Sequence, residues 1–110
     1  MHVWQKSMDL VTLLYDHTSK FPRHEVYGLT SQMRRSAISI PSNLAEGSRR
    51  NGKNEYRHFV SIAFASGAEL ETQIEIAQRL RYAPENKLKE VALLLDEIMK
   101  MLRKLRDSLS

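Results

Sequence analysis

Between residues 56 and 80 two stripes run side by side at helical spacing, and only a long helix with neighbours on more than one side can use both. The first stripe is Tyr56, Val60, Ala63, Gly67, Leu70, Ile74 and Ala77; the second is Phe59, Ile62, Ser66, Glu69, Gln73, Ile76 and Leu80. Each alternates intervals of three and four residues, the signature of a coiled-coil seam. The second stripe carries Ser66, Glu69 and Gln73 where a bundle core would carry leucine. Burying an unpaired carboxylate costs on the order of several kcal/mol, so Glu69 is expected to meet a cation or an amide donor, or to stay wet.

The rest of the chain divides into segments of the same kind. Helix breakers fall at Pro22 and Gly28, at Gly47 and Gly52, and at Pro84. A first helix is expected over about 3–19, with Trp4, Met8, Val11, Tyr15 and Thr18 as its seam and Leu10 and Leu14 beside it. A second, over about 30–49, has Thr30 as N-cap, a stripe of Leu29, Met33, Ala37, Ile40 and Leu44, and a kink at Pro41. Asn51-Gly52 reads as a tight turn before a third helix over 54–82 capped by Asn54. The fourth, over 85–108, has the most regular pattern: Leu88, Val91, Leu95, Ile98, Leu102, Leu105 and Leu109. No period-two run competes. Short connections favour antiparallel neighbours, so the reading is all-α: a single-domain, up-down-up-down antiparallel four-helix bundle over residues 1–110.

With 110 residues and 42% apolar content the chain can fill one modest core. Cysteine is absent, which removes disulfides, thiol nucleophiles and thiolate metal sites and fits a cytoplasmic setting. The longest uncharged stretch, His58 to Ala68, is 11 residues, far short of the roughly 20 that span a bilayer, so no membrane association is expected. The apolar faces of the third and fourth segments are wider than one four-helix subunit must bury. Self-association would cover the surplus.

Charge is unevenly placed. Residues 20–58 hold eight Lys and Arg against three acids, whereas the remainder holds nine against ten. The phosphate-binding candidates are Arg49, Arg50, Lys53 and Arg57 about the second turn, with Lys100, Arg103, Lys104 and Arg106 as a second run; binding through them would weaken steeply with salt. Tyr56 is the one ring near the first run, and it lies on a core stripe. RNA or DNA is therefore the partner expected, without sequence-specific base reading.

Catalysis finds less support in the residues. Glu55-x-x-His58 has the spacing of half a di-iron carboxylate site, but His2, His17 and His24 have no glutamate three residues upstream, so the ligand count fails. There is no nucleophile elbow and no phosphate-binding Gly-rich loop. No arginine of the first cluster has a histidine four to six residues downstream, as some helical ribonucleases do. The expectation is a non-enzyme without cofactor or metal; the competing readings are a protein-interaction scaffold that never touches nucleic acid, and a metal-dependent or ribonucleolytic enzyme. Inside the bundle, Arg34, Asn43, Glu46, Glu69 and Gln73 are the candidate polar core residues. A turn centred near 51.5 sets Arg34 opposite Glu69, and a salt bridge between them is expected.

Three runs carry a family likeness: Phe21-Pro22-x-x-Glu25-x-Tyr27-Gly28-Leu29-x-x-Gln32-x-Arg34-Arg35, then Ser39-Ile40-Pro41-Ser42-Asn43-Leu44-Ala45-Glu46-Gly47, then Glu69-Leu70-x-Thr72-Gln73. In order and spacing they resemble the small bacterial four helix bundle proteins, the 23S ribosomal RNA intervening sequence protein family. That resemblance implies a homopentamer of four-helix bundles, some members being encoded within intervening sequences of ribosomal RNA genes. It also implies kinship with the accessory variability determinant of diversity-generating retroelements, a basic pentamer that binds nucleic acid and a reverse transcriptase. The expected protein is thus a ring-forming scaffold whose repeated cations bind nucleic acid, with a second protein as a further possible partner.

Overall fold

Each helix boundary traces to a local conflict between chain and helix. The computed structural model describes residues 1–110 and contains α1 (His2–Thr18), α2 (Leu29–Ser48), α3 (Lys53–Arg79) and α4 (Glu85–Ser108), with a single 3-10 turn at Arg23–Glu25 and no strand. Pro22, which cannot donate a backbone hydrogen bond, follows the end of α1 and leads into the 3-10 turn. Helix α2 starts one residue before Thr30: Gly28 is its N-cap residue, and Glu25 Oε1 accepts the Leu29 N–H at 3.0 Å. Thr30 is therefore not the cap expected. Asn54 is not one either, because α3 begins at Lys53 behind Gly52, whose φ of 99° suits glycine alone.

Helix α3 ends at Arg79, three residues short of Tyr82. Arg81 adopts the left-handed conformation, φ 57°, and the Tyr82 N–H reaches back to the Ala77 carbonyl at 3.1 Å while the Arg81 N–H reaches Gln78 at 3.1 Å. This is a Schellman ending with arginine in the position glycine usually takes. Within α2, Pro41 is buried without ending the helix.

Consecutive helices pack together, α4 closes on α1, and the backbones of the diagonal pairs stay apart. The result is an up-down-up-down antiparallel four-helix bundle 44 Å long. Its core joins Leu10, Leu14, Met33, Ile40, Leu44, Val60, Leu70, Leu88, Val91, Leu95, Ile98 and Leu102, all fully buried. The first stripe of α3 is thus the seam of the subunit. Its second stripe is left at the flank, with Ile76 42% and Leu80 51% exposed.

The α1 seam lies one residue ahead of the expected one. Val3, Ser7, Leu10, Leu14 and His17 face inward, and Thr18 of the expected seam is buried with them, while Met8 and Tyr15 are more than a third exposed. Ser7 is tolerated there because its hydroxyl donates to the Trp4 carbonyl at 2.8 Å. His17 is buried with Nε2 3.7 Å from Glu90 Oε1 of α4, and Lys6 reaches Glu97 of α4 at 2.8 Å. No helix is long and apolar enough to cross a membrane.

The α2–α3 contact is the most extensive in the bundle. Small residues make it so. A Cβ added at Gly47 would stand 2.7 Å from Phe59 Cβ and 3.3 Å from the Tyr56 carbonyl oxygen. The α3–α4 contact uses a glycine in the same way, since a Cβ at Gly67 would overlap Met99 Sδ of α4.

Candidate functional site

Antiparallel topology brings both basic runs to one end of the bundle, since the last turns of α4 return to the start of α3. Lys53, Arg57 and Phe64 occupy one ridge of α3, at i, i+4 and i+11. The Arg106 guanidinium of α4 lies 4.8 Å from the centre of the Phe64 ring and that of Arg103 5.7 Å away. These cations consequently share the α3–α4 flank. On the opposite flank, Arg50 lies 5.0 Å from the Phe59 ring centre. Each arginine–ring contact holds a guanidinium in place while leaving its edge to solvent.

Three of the cations are partly neutralised: Arg50 by Glu46 at 2.6 Å, Lys100 by Asp96 at 3.3 Å and Arg106 by Asp107 at 4.0 Å. Arg49, Lys53, Arg57, Arg103 and Lys104 are exposed and form no ion pair. What this end can do chemically is attract and hold anions whose charge is spread over several ångströms. Glu55 and His58 stand exposed at the start of α3, the imidazole packing edge-on against Phe59 at 5.6 Å.

The polar residues along α2 and α3 form a ladder, with a different register from the one expected. Ser39 and Ser66 share a hydroxyl hydrogen bond of 2.7 Å, and Ser36 Oγ donates to Glu69 Oε1 at 2.9 Å. Asn43 Nδ2 donates to the Ser39 carbonyl and hydroxyl at 2.8 and 2.9 Å, and Gln73 Nε2 donates to Glu69 Oε1 at 3.3 Å. Gln73 Oε1 is buried without a partner.

The salt bridge expected between Arg34 and Glu69 does not form. Ser36 occupies the place opposite Glu69, and Arg34, two residues earlier, points roughly 200° around the helix toward α1. There its Nε–H donates to Thr18 Oγ1 at 3.0 Å, its Nη2 donates to the Tyr15 carbonyl at 3.3 Å, and its guanidinium covers the Tyr15 ring at 4.1 Å. Glu46 also leaves the polar core assigned to it, being exposed and bound to Arg50.

A second cluster escaped the sequence reading. Glu25 Oε2 accepts the Tyr82 hydroxyl at 2.6 Å while Oε1 holds the start of α2, so one carboxylate ties the α3–α4 turn to α2. The Tyr82 hydroxyl, then the Leu29 N–H and the nearby His24 charge, hold the Glu25 carboxyl below its ordinary range despite some burial. The same hydrogen bond, with burial and the Glu25 charge, raises Tyr82. Glu25 and Tyr82 are 57 residues apart, so no local spacing could announce the pair.

The chain is similar, over residues 1–104, to the family described as 23S rRNA-intervening sequence protein. Among solved structures it resembles a protein of unknown function from the S23 ribosomal protein family of Bacteroides thetaiotaomicron, with a TM-score of 0.87 and 20% identity over 96% of this chain and 95% of that one. At that identity the likeness establishes the fold. No curated protein matches the chain significantly.

Proposed function

This chain belongs to the 23S rRNA-intervening sequence protein family, and on that premise we propose that it is a non-catalytic, self-associating scaffold that binds RNA or DNA through its basic end. The observation that carries this reading is the convergence of two cationic runs, distant in sequence, on one end of the bundle, where Arg49, Lys53, Arg57, Arg103 and Lys104 have no acidic partner. Binding is electrostatic and follows the phosphate backbone. The exposed Ile76, Leu80 and Leu93 supply apolar surface for self-association, and a ring of five copies would repeat the basic end five times and multiply weak contacts into avidity.

Fluorescence anisotropy with generic RNA and DNA across a salt series tests the binding, and light scattering on the same sample tests assembly. A pentamer would have a mass of about 64 kDa, five times the 12.8 kDa chain. Replacing Arg57 and Arg103 by glutamine should lower the slope of log K against log salt by about 0.7–0.9 for each phosphate that is no longer neutralised. The same exposed apolar residues favour a second reading, a protein scaffold that binds no nucleic acid. Absence of binding at low salt would select it.

A further inference from the structure

At the other end of the bundle, where α1 hands over to α2, two adjoining cavities of about 530 and 230 Å³ open on either side of Thr30 and Arg34. None of the residues lining either cavity is acidic, whereas Arg23 lines one, Arg35 the other and Arg34 both. We infer that this corner is an oxyanion site that takes a phosphate group. The inference is independent of the reading given to the α2–α3 end.

Arg34, which lines both cavities, is already fixed in place. Thr18 Oγ1 and the Tyr15 carbonyl take two of its N–H groups and the Tyr15 ring lies under its plane, so the guanidinium is held in one orientation with three of its five donors unspent. Without a carboxylate partner, its charge is available. A preorganised guanidinium loses little freedom when it takes up an anion.

Two further sets of donors belong to residues that line the same space. Thr30 is 5% exposed, lines both cavities, and its hydroxyl makes no hydrogen bond within the protein. Behind it lies the N-terminus of α2. Glu25 takes the Leu29 N–H and Gln32 bonds back to the Gly28 carbonyl, but the N–H groups of Thr30 and Ser31 have no partner in the chain. A helix start with free N–H groups favours negative charge. A tetrahedral phosphate, with three or four acceptor oxygens, can meet more of these donors together than a planar carboxylate can. Glu25 lines neither cavity, and its carboxylate is bound to the Tyr82 hydroxyl, the Leu29 N–H and His24 rather than to Arg34.

The phosphate could be free, as in a nucleotide, or part of a nucleic-acid strand. Amide spectra of the full chain, recorded at constant ionic strength set with chloride, are titrated with inorganic phosphate, adenosine monophosphate and a single-stranded oligonucleotide. Saturable shifts at the Thr30 and Ser31 amides are expected. Saturation with phosphate and the nucleotide assigns a free phosphate; saturation with the oligonucleotide alone assigns a strand. Arg34→Lys, which keeps the charge and removes the fork, should weaken binding at least tenfold, and Thr30→Val severalfold. If Arg34→Lys disturbs the fold, Arg35→Gln at an exposed position takes its place, with an expected loss of at least threefold. No saturable shift with any of the three probes, or affinity unchanged in the folded variants, overturns the assignment.

Discussion

Ser36 Oγ donates to Glu69 Oε1 across 2.9 Å, and this contact sets the register of the α2–α3 pair. Ser39 and Ser66 repeat it one turn along. Glu69 is exposed as a whole, so its second oxygen remains open to water and the carboxylate needs no cation.

Ser36→Ala should therefore lower stability by about 1 kcal/mol, and a double-mutant cycle between positions 36 and 69 should show a coupling of about 0.5 kcal/mol or more. The cycle between Arg34 and Glu69 should be additive to within about 0.5 kcal/mol. Chemical denaturation of the single and double variants measures both. Strong coupling of 34 with 69 would contradict the geometry.

Glu25 and Tyr82 make stability depend on pH at both extremes. The carboxyl is held below its ordinary range in the folded protein, so the unfolded chain binds more protons in acid. The contribution is present above that range and is lost as pH falls through the lowered folded value. The phenol is raised, so its contribution is complete below the ordinary tyrosine range and is lost as pH rises through the raised folded value. Tyr82→Phe keeps a ring against Phe21, whose centroid lies 5.5 Å away, and removes the hydroxyl. Melting temperature followed from pH 3 to pH 11 (roughly the span of the two groups) should lose part of its fall at each end in this variant. An unchanged profile would exclude the coupling.

Gly47→Ala tests the closeness of α2 and α3. Alanine favours helix by about 0.8–1 kcal/mol, but its methyl would meet Phe59 Cβ and the Tyr56 carbonyl, one of them backbone. Overpacking of this kind costs about 1–3 kcal/mol. Net destabilisation by about 1 kcal/mol is expected from thermal melts, and a more stable variant would show that the helices can separate at little cost.

Arg81→Gly tests the opposite case. The left-handed backbone there disfavours any side chain, and nothing in the Schellman ending uses the arginine. The variant should be more stable by about 0.5–1 kcal/mol in denaturant titration. A loss of stability would mean that the guanidinium has a role beyond the turn.

Regular apolar spacing made the seams of α2, α3 and α4 legible, because small and aliphatic residues repeat there at intervals of three and four, while the exposed Ile38, Ile76, Leu80 and Leu93 fall off those lines. In α1 the larger side chains misled: Trp4, Met8 and Tyr15 suggested a seam, while the buried line uses Ser7 and His17, whose polarity concealed it. Of the polar ladder, Asn43, Ser66, Glu69 and Gln73 were readable, but the serines of α2 that meet them, Ser36 and Ser39, were not, and Arg34 and Glu46 lie outside it. Moving the centre of symmetry of the α2–α3 turn from 51.5 to 52.5 changes the facing residue by two, and two residues turn a side chain to the far side of a helix. The basic runs could be seen in the chain, and their meeting follows from antiparallel topology. The cavity beside Thr30 depends on three connected elements and has no signature in any one of them.

The tight embrace of α2 and α3 also bears on how the molecule comes apart. These two helices are joined by a short turn, so their contacts close at little loop entropy, and hydroxyl bonds pin them at two successive turns. Amide protons near Ile40 and Val60 should be the slowest to exchange with deuterium, and those of α1 should be released sooner, through openings that leave the central hairpin standing. The hairpin is then the natural nucleus of folding, onto which the outer helices condense.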